Sequence, residues 1–190
     1  MRIGVLLKNV IVLCGLFCMI YWFYIQTKTP QYTPTKIKPQ EYMSNLQNIN
    51  YDEQGKPKES LQAEYWEFNP IKGYSDLIKP YLTVYKDTDE TWYLSANKAL
   101  AWHPTISDKV TKIDMFDGVV IERPASNEVT QVVLKTIELQ YIPDEEKIST
   151  KEFVSMQQPG LTISGYGLLG YLDRNWIELH DQITTTYTPN

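Results

Sequence analysis

The chain has 190 residues, 43% of them hydrophobic and 22% charged, and its formal net charge is -5. This length suits one domain with a short extension, and this composition excludes a chain that is disordered throughout. The negative charge argues against a protein that binds nucleic acid by neutralising phosphates. The two cysteines, Cys14 and Cys18, are too few for a disulfide scaffold.

Residues 9–27 carry no charged side chain. As a helix they would be about 28 Å long, which matches the hydrocarbon core of a bilayer. Aromatic residues crowd the end of this segment, as expected at a membrane interface. No small residues of a signal-peptidase site follow, and Leu13 and Phe17 stand where lipoprotein processing needs a small residue before each cysteine. We therefore predict a retained transmembrane anchor; a cleaved signal peptide is the alternative.

This anchor divides the chain into four predicted segments. Residues 1–8 form a cytoplasmic tail that is too short to be a domain, and residues 9–27 form the anchor. Residues 28–42 contain three prolines and no apolar period, which is typical of a linker. The folded domain is expected over residues 43–190, on the far side of the membrane.

From residue 43 onward, hydrophobic residues recur with a period of two. Leu61, Ala63 and Tyr65, for example, alternate with Gln62 and Glu64. Three later runs show the same alternation, and clusters of Asp, Asn, Pro and Gly separate the runs. No segment has the period of a long amphipathic helix. We predict an all-β domain of ten or more short antiparallel strands.

The apolar pairs within these strands form a loose internal repeat. The units run from 61–63 to 82–84, from 94–96 to 119–121, and from 134–136 through Leu139 to Phe153. This repeat predicts strand pairs stacked along an axis. Such an array has a row of inward aliphatic side chains along its length. It also leaves an open sheet edge at each end.

The sequence offers few residues for chemistry. His103 and His180 lie far apart, and we interpret them as turn or surface residues rather than as metal ligands. Residues 165–170 fit the pattern G-x-G-x-x-G, but a strand rather than a helix is expected after them, so the glycines indicate a bend or a close backbone approach. The acidic clusters at 87–90 and 144–146 lack the spacing of a calcium loop and predict hairpin turns. We predict no catalytic residue, metal site or cofactor.

The layout as a whole resembles the lipopolysaccharide export protein C (LptC) family, a bitopic inner-membrane component of the lipopolysaccharide transport bridge. The resemblance rests on the order and spacing of the N-terminal span and of residues 50–55, 61–63, 80–85, 92–96, 118–119, 165–167 and 183–189. It implies a twisted, boat-shaped β-jellyroll that is open along one side and is preceded by one transmembrane helix. It also implies that the protein is not an enzyme and that its domain lies in the periplasm.

The resemblance further implies what the protein binds. An ATP-driven transporter of the inner membrane would load lipopolysaccharide, whose acyl chains would lie in an apolar groove, and the soluble A component would receive it. The anchor and the strand near 44–51 would face the transporter. The uncharged C-terminal strand would pair with the A component unless it is already paired inside the domain. That edge strand consists of Ile183, Thr184, Thr185, Thr186 and Tyr187.

Candidate groove residues follow from the alternation and the resemblance together. The eleven inward aliphatic residues are Leu46, Leu61, Leu77, Leu82, Val84, Leu94, Val119, Ile121, Leu139, Ile177 and Leu179. For most of them, taken singly, plain core packing is the better interpretation. The resemblance favours Leu46, Leu77, Ile177 and Leu179 as lipid-facing. Gly55 and Gly160 resemble family glycines at turns, where a positive φ would require glycine.

Three alternatives remain at this stage. The first is a membrane-anchored periplasmic β-domain that serves as a protein–protein assembly module without a lipid ligand. The second is a secreted β-sandwich hydrolase, which would need clustered acids or a histidine dyad. The third is the A component itself, which an uncleaved anchor would exclude.

Overall fold

The computed structural model describes residues 41–86, 90–126 and 130–188. It also describes five helical, exposed residues of the predicted anchor, namely Cys18, Met19, Tyr21, Trp22 and Tyr24. The rest of the predicted tail, anchor and linker up to residue 40, and residues 87–89 of the first acidic cluster, lie outside the described residues. No helix among the described residues is long and apolar enough to cross a bilayer. The chain divides into two compact units, Met1–Ile37 and Lys38–Asn190.

Eleven β-strands and one short 3-10 turn make up the second unit. They are β1 (Glu41–Tyr51), β2 (Pro57–Asn69), β3 (Tyr74–Ile78), β4 (Tyr81–Val84), β5 (Trp92–Ser95), β6 (Lys98–Trp102), β7 (Lys112–Arg123), β8 (Val132–Ile142), β9 (Lys147–Gln158), β10 (Leu161–Tyr171), the 3-10 turn Leu172–Arg174, and β11 (Trp176–Tyr187). The predicted all-β, antiparallel domain is confirmed. The strands are not all short, because seven of them have 11 to 13 residues. The first strand begins inside the segment predicted as linker.

The strands form one antiparallel meander if β3 with β4, and β5 with β6, are each counted as one strand with a break. β3 and β4 are two parts of one broken strand, because β2 pairs Tyr65 with Ile78 of β3 and Leu61 with Leu82 of β4 in an unchanged register. β5 and β6 are likewise two parts of one broken strand, because β6 pairs with β3 and β5 pairs with β4 in one unchanged register. Two of the three predicted repeat pairings, 61–63 with 82–84 and 94–96 with 119–121, are confirmed.

The third predicted unit, from 134–136 through Leu139 to Phe153, is also a strand pair, because β8 pairs with β9, but Leu134 and Phe153 are not partners. Leu134 of β8 pairs with Met156 of β9, whereas Phe153 pairs with Tyr166 of β10. The physical reason is a break in the pairing of β8 and β9. Their ladder is interrupted between Lys135 and Gln140, and its register shifts there. A count along the sequence cannot anticipate such a shift, because an irregularity moves every later partner.

The sheet is folded along a line that crosses the strands near their middles, which we call the crease. Backbone with positive φ marks this line at Asn45 (55°), Lys79 (49°), Asp117 (62°), Gly118 (84°), Gly167 (72°) and Gln182 (50°). Such φ values are uncommon for residues other than glycine. These residues lie in β1, between β3 and β4, and in β7, β10 and β11, each near the middle of its strand or strand pair. The bend therefore runs across the whole sheet rather than through a single strand. The crease divides the domain into a β4/β5 half-sheet and a β3/β6 half-sheet.

The two half-sheets face each other and share one apolar core. The β4/β5 half-sheet contributes Leu82, Val84, Leu94, Val119, Ile121 and Leu134, and the β3/β6 half-sheet contributes Leu77, Ala99, Ile113, Met115, Leu139, Tyr141 and Ile148. Burial of these side chains is the main stabilising contribution. Polar contacts also join the half-sheets on the side opposite the crease, where Lys86 forms an ion pair with Glu146 and Asn175 donates a hydrogen bond to Glu90.

The crease also changes which residues of a strand face inward. In β2, Ala63 is buried before the crease, whereas Trp66 packs against the core after it. Tyr65 therefore lies on the outer face, where its hydroxyl donates to Glu67 and its ring stacks on Tyr42. The alternation that starts at Leu61 and Ala63 therefore does not place Tyr65 on the inner face. Two consecutive residues, Glu64 and Tyr65, separate the inward Ala63 from the inward Trp66. Beyond them every second residue faces inward again, as Trp66 and Phe68 do.

The glycine-rich run 165–170 lies within β10 and is followed by the 3-10 turn and β11. The structural interpretation of these glycines is confirmed by the close approach of neighbouring chains. A Cβ atom on Gly165 would lie 2.8 Å from the backbone oxygen of Asp181, and one on Gly170 would lie 2.9 Å from Ile148 Cγ1. These two positions have no room for a side chain, so the packing of the neighbouring strands requires glycine there.

Both ends of the meander are open edges, as predicted. Among the described residues, β1 pairs only with β2, and β11 pairs only with β10. Nearly all residues of β1 are exposed, with Leu46 the half-buried exception. The edges lie at opposite ends of the strand order, so the domain offers one free strand at each end.

The strained backbone of the crease predicts a difference in stability between glycine variants of two lysines, each of which forms an exposed ion pair. Lys79 has a positive φ and pairs with Glu64, whereas Lys98 lies in β6 and pairs with Asp117. Lys79→Gly relieves left-handed backbone strain, whereas Lys98→Gly only loosens a strand. We expect Lys79→Gly to be more stable than Lys98→Gly by about 1–2 kcal/mol. Urea unfolding of both variants measures this difference, and equal losses would contradict the crease as a strained line.

Candidate binding groove

A groove of about 820 Å³ opens between the two half-sheets at the β1 end of the domain. Leu46 and Leu61 form its wall on the β4/β5 side, and Met43, Trp66 and Ala101 form its wall on the β3/β6 side. The groove exists because β1 and β2 extend beyond the packed core while the half-sheets stay apart. Its volume falls within the range of about 300–1,000 Å³ that is usual for pockets that bind small molecules.

The rim of the groove is polar. It carries Lys58, Asp108 and Lys109, and Lys109 forms an ion pair with Asp144 of the β8–β9 turn. The 103–110 loop adds two apolar side chains to the wall, Ile106 and Val110. An apolar interior with a charged rim suits an amphipathic ligand, whose tail leaves water while its polar end stays hydrated.

His103 is a buried part of the groove wall, so the prediction of a surface or turn histidine is wrong for this residue. Its side chain is stacked on Phe68 with 4.9 Å between ring centroids, and the residue is 5% exposed. Nδ1 donates to the carbonyl oxygen of Thr105 at 2.7 Å, and Nε2 shares a 2.7 Å hydrogen bond with Ser75 Oγ. Both ring nitrogens are satisfied, which makes burial tolerable. His180 is exposed on β11, as predicted.

The eleven predicted groove residues all contribute to the inner side of the sheet, but in different ways. Leu46 and Leu61 line the groove, and Ile177 and Leu179 are half-buried against the core at the β11 end. The other seven are fully buried core residues. Leu77, which the resemblance favoured as lipid-facing, is only 1% exposed. Its contact with a ligand stays a prediction, and it requires the half-sheets to part.

Several groove residues escape the sequence analysis. Strict alternation from Leu61 places Trp66 on the outer face. The sequence analysis misses it because beyond the crease the other set of alternate residues of β2 faces inward. Met43 lies across the same crease in β1. Ile106 and Val110 lie in a loop, where no period exists to predict their direction. His103 follows β6 directly, and only the inward row of Ala99 and Ala101, continued by two residues, would have indicated it.

The two predicted turn glycines have the expected backbone. Gly55 closes the β1–β2 turn with φ of 80°, and Gly160 closes the β9–β10 turn with φ of 73°. Asp52 organises the first turn, because its carboxylate accepts hydrogen bonds from the amides of Gln54 and Lys56. A Cβ atom on Gly160 would lie 3.3 Å from the backbone oxygen of Thr188. A bulky residue at either glycine would strain the turn.

The predicted C-terminal edge strand is the exposed end of β11. Residues 183–187 pair on one side with β10, for example Thr184 with Ser164 and Tyr187 with Leu161. The strand is therefore paired inside the domain on one side and has a free edge on the other, and its pairing with a partner stays a prediction. All five of its residues are exposed.

One buried polar contact joins the half-sheets beside the groove. The hydroxyl of Tyr141 donates to Glu59 Oε1 at 2.6 Å, and both residues are buried. Burial, together with the nearby carboxylate of Glu59, raises the pKa of the Tyr141 phenol well above its usual 10.0. Tyr141 therefore stays a hydrogen-bond donor over the whole physiological pH range.

The sequence of this chain matches a known family, and its fold is similar to that of a solved structure. A family model described as "Lipopolysaccharide-assembly, LptC-related" matches residues 9–188. No curated protein matches the sequence. Among solved structures, the chain is similar to LptH from Pseudomonas aeruginosa, described as the LptA homologous periplasmic component of the conserved lipopolysaccharide transport device. The TM-score is 0.54 at 12% identity over 69% of this chain and 95% of that one, which shows a shared fold.

The Tyr141–Glu59 contact predicts how stability depends on alkaline pH. An unfolded tyrosine ionises above pH 10, whereas folded Tyr141 stays protonated, so each further pH unit lowers the free energy of unfolding by about 1.4 kcal/mol. Below pH 10 this group contributes no slope. Tyr141→Phe should lack this loss. Urea unfolding below and above pH 10 measures the difference between the two proteins, and parallel profiles would contradict the prediction.

Proposed function

The chain belongs to the lipopolysaccharide-assembly, LptC-related family and acts in lipopolysaccharide transport, and from this premise we propose that the groove beside β1 holds the acyl chains of the lipid. The single observation that carries the proposal is the composition of the groove. Its walls combine aliphatic and aromatic side chains with the buried polar residues Glu59 and His103, and its rim carries Lys58, Asp108 and Lys109. Acyl chains gain from burial against such walls, roughly in proportion to the apolar area removed from water.

We propose that the folded sheet is the twisted, boat-shaped jellyroll of this family. The groove opens at the β1 end, and the half-buried Ile177 and Leu179 continue the inner apolar face at the β11 end. A lipid that moves from one end to the other would cross the region that the core side chains now fill. Transport would thus separate the half-sheets transiently, with energy supplied by the ATP-driven transporter. The protein itself needs no catalytic group for this role.

The two edge strands suit the two neighbours that a transport bridge needs. We propose that β1, with residues 9–27 as a membrane anchor, faces the inner-membrane transporter. The free edge of β11 would pair with the periplasmic A component and align the two grooves, because main-chain hydrogen bonds join open edges. The similarity to LptH supports this arrangement, because one repeated fold can continue a groove from one protein to the next. The domain would then lie in the periplasm, behind a tail of residues 1–8 and a linker of residues 28–42.

Photocrosslinking in cells tests lipid in the groove. A benzophenone amino acid at Leu46 or Ile177 should form adducts with lipopolysaccharide, because both positions are half-buried on the inner face. Tyr42 and Trp176 are matched controls, since each lies close to a test residue on the same strand and is exposed. We expect no adduct at either control. Leu77 should react only if the half-sheets part during transport.

Absence of adducts at Leu46 and Ile177 in a folded, membrane-retained protein would contradict the proposal. It would favour the assembly module without a lipid ligand. Equal adducts at the test and control positions would indicate contact with the membrane surface rather than binding in the groove.

The free edge of β11 makes a separate prediction. Lysines on an edge strand discourage pairing with another sheet. Thr184→Lys combined with Thr186→Lys should leave the domain folded, because both side chains are exposed, and should abolish co-purification with the A component. Glu178→Lys on the same strand is the control, because it adds positive charge outside residues 183–187. Retained co-purification of the double variant would rule out pairing through this edge.

A further inference from the structure

The hydrogen bond between Glu59 and Tyr141 spans the interior of the folded sheet. Glu59 lies in β2 on the β4/β5 half-sheet, and Tyr141 lies in β8 on the β3/β6 half-sheet. Glu59 is 6% exposed and Tyr141 is 0% exposed. Among the described residues, this is the one hydrogen bond between buried side chains that joins the half-sheets through the interior.

This contact lies where the groove ends and the packed core begins. Glu59 lines the groove and also a small cavity of about 30 Å³ behind it. The walls of that cavity include Leu82 and Ile113, one core residue from each half-sheet. An acyl chain in the groove therefore meets the Glu59–Tyr141 pair before it reaches the core.

The chemistry of the pair opposes deeper entry. A hydrogen bond between a hydroxyl and a carboxylate is among the stronger ones in proteins, and a buried carboxylate that loses its donor is costly. An acyl chain cannot replace the lost hydrogen bond, because it has no donor. Parting the half-sheets around a lipid tail thus leaves Glu59 without its buried donor, whereas parting an all-apolar interface carries no such cost.

We propose that Glu59 and Tyr141 form a polar gate that confines acyl chains to the β1 end of the groove until the half-sheets separate. This inference rests on the proposed function, since it assigns the gate to the same lipid groove. The gate delays passage toward β11 without preventing it. Lipid enters the domain at β1 and waits there, and its transfer requires the Glu59–Tyr141 hydrogen bond to open as the half-sheets separate.

Native tryptophans provide reporters on both sides of the gate. Trp66 lines the groove, whereas Trp92 is 1% exposed in the core and pairs with Val84 on the strand that also carries Leu82. Two full-length reporter proteins each retain one of these tryptophans, with the other four replaced by Phe. The probe is stearate dibrominated along its chain, whose bromine quenches nearby indole fluorescence, with unbrominated stearate as the blank. The protein is held in lipid nanodiscs.

The variants separate the hydrogen bond from the charge. Glu59→Leu combined with Tyr141→Phe removes the polar pair and leaves an apolar interface. Tyr141→Phe alone removes a single hydroxyl group and serves as a second gate-opening variant if the double variant does not fold. Glu59→Gln is the matched control, because its side-chain oxygen still accepts from Tyr141.

We expect the probe to quench Trp66 and to leave Trp92 unquenched in the otherwise native protein and in Glu59→Gln. Gate-opening variants should gain quenching at Trp92 up to the level seen at Trp66. Quenching of Trp92 with the gate intact, or its absence in a folded gate-opening variant, overturns the gate. Failure of the probe to quench Trp66 in any protein overturns the proposed groove itself, and the gate with it.

Discussion

The structure depends on one constraint, which is that a long sheet with one apolar face must bury that face. In the described part of the chain no layer of helices covers it, so the sheet folds onto itself along the crease. Asn45, Lys79, Asp117 and Gln182 carry the left-handed backbone that this fold line requires. Strain at these residues is offset by the shared core of the two half-sheets, because one fold line buries the inner side chains of nearly every strand.

The groove and the open edges are two consequences of the same folding. A folded meander has a first and a last strand, and neither can close the sheet, so β1 and β11 each keep a free edge. At the β1 end the half-sheets diverge around Leu46, Leu61 and Trp66, which leaves the groove beside one of these edges. The groove and one free strand edge therefore lie together at the β1 end of the fold. This arrangement suits a protein that works as one link in a transport chain.

Two hydrogen-bonded pairs of buried polar side chains lie beside the groove. Glu59 with Tyr141 and His103 with Ser75 are hydrogen-bonded pairs of buried side chains, and both pairs include a residue of the groove wall. Buried polar pairs add little net stability compared with apolar packing, but they are costly to break. Because hydrogen bonds are directional, these two pairs fix the positions of the side chains that they join beside the groove.

The sequence by itself determined the strand content, the turns and the inward rows of each half-strand, because an alternation of period two acts within a few residues. It also indicated the family, through short segments in a fixed order. Only the tertiary structure decided which residues face each other. The crease reverses the parity of β2, so Tyr65 lies outside and Trp66 inside. The break between β8 and β9 moves the partner of Leu134, and the 103–110 loop completes a wall that has no period. These outcomes depend on contacts between distant segments. Local pattern carries no information about where a whole sheet bends.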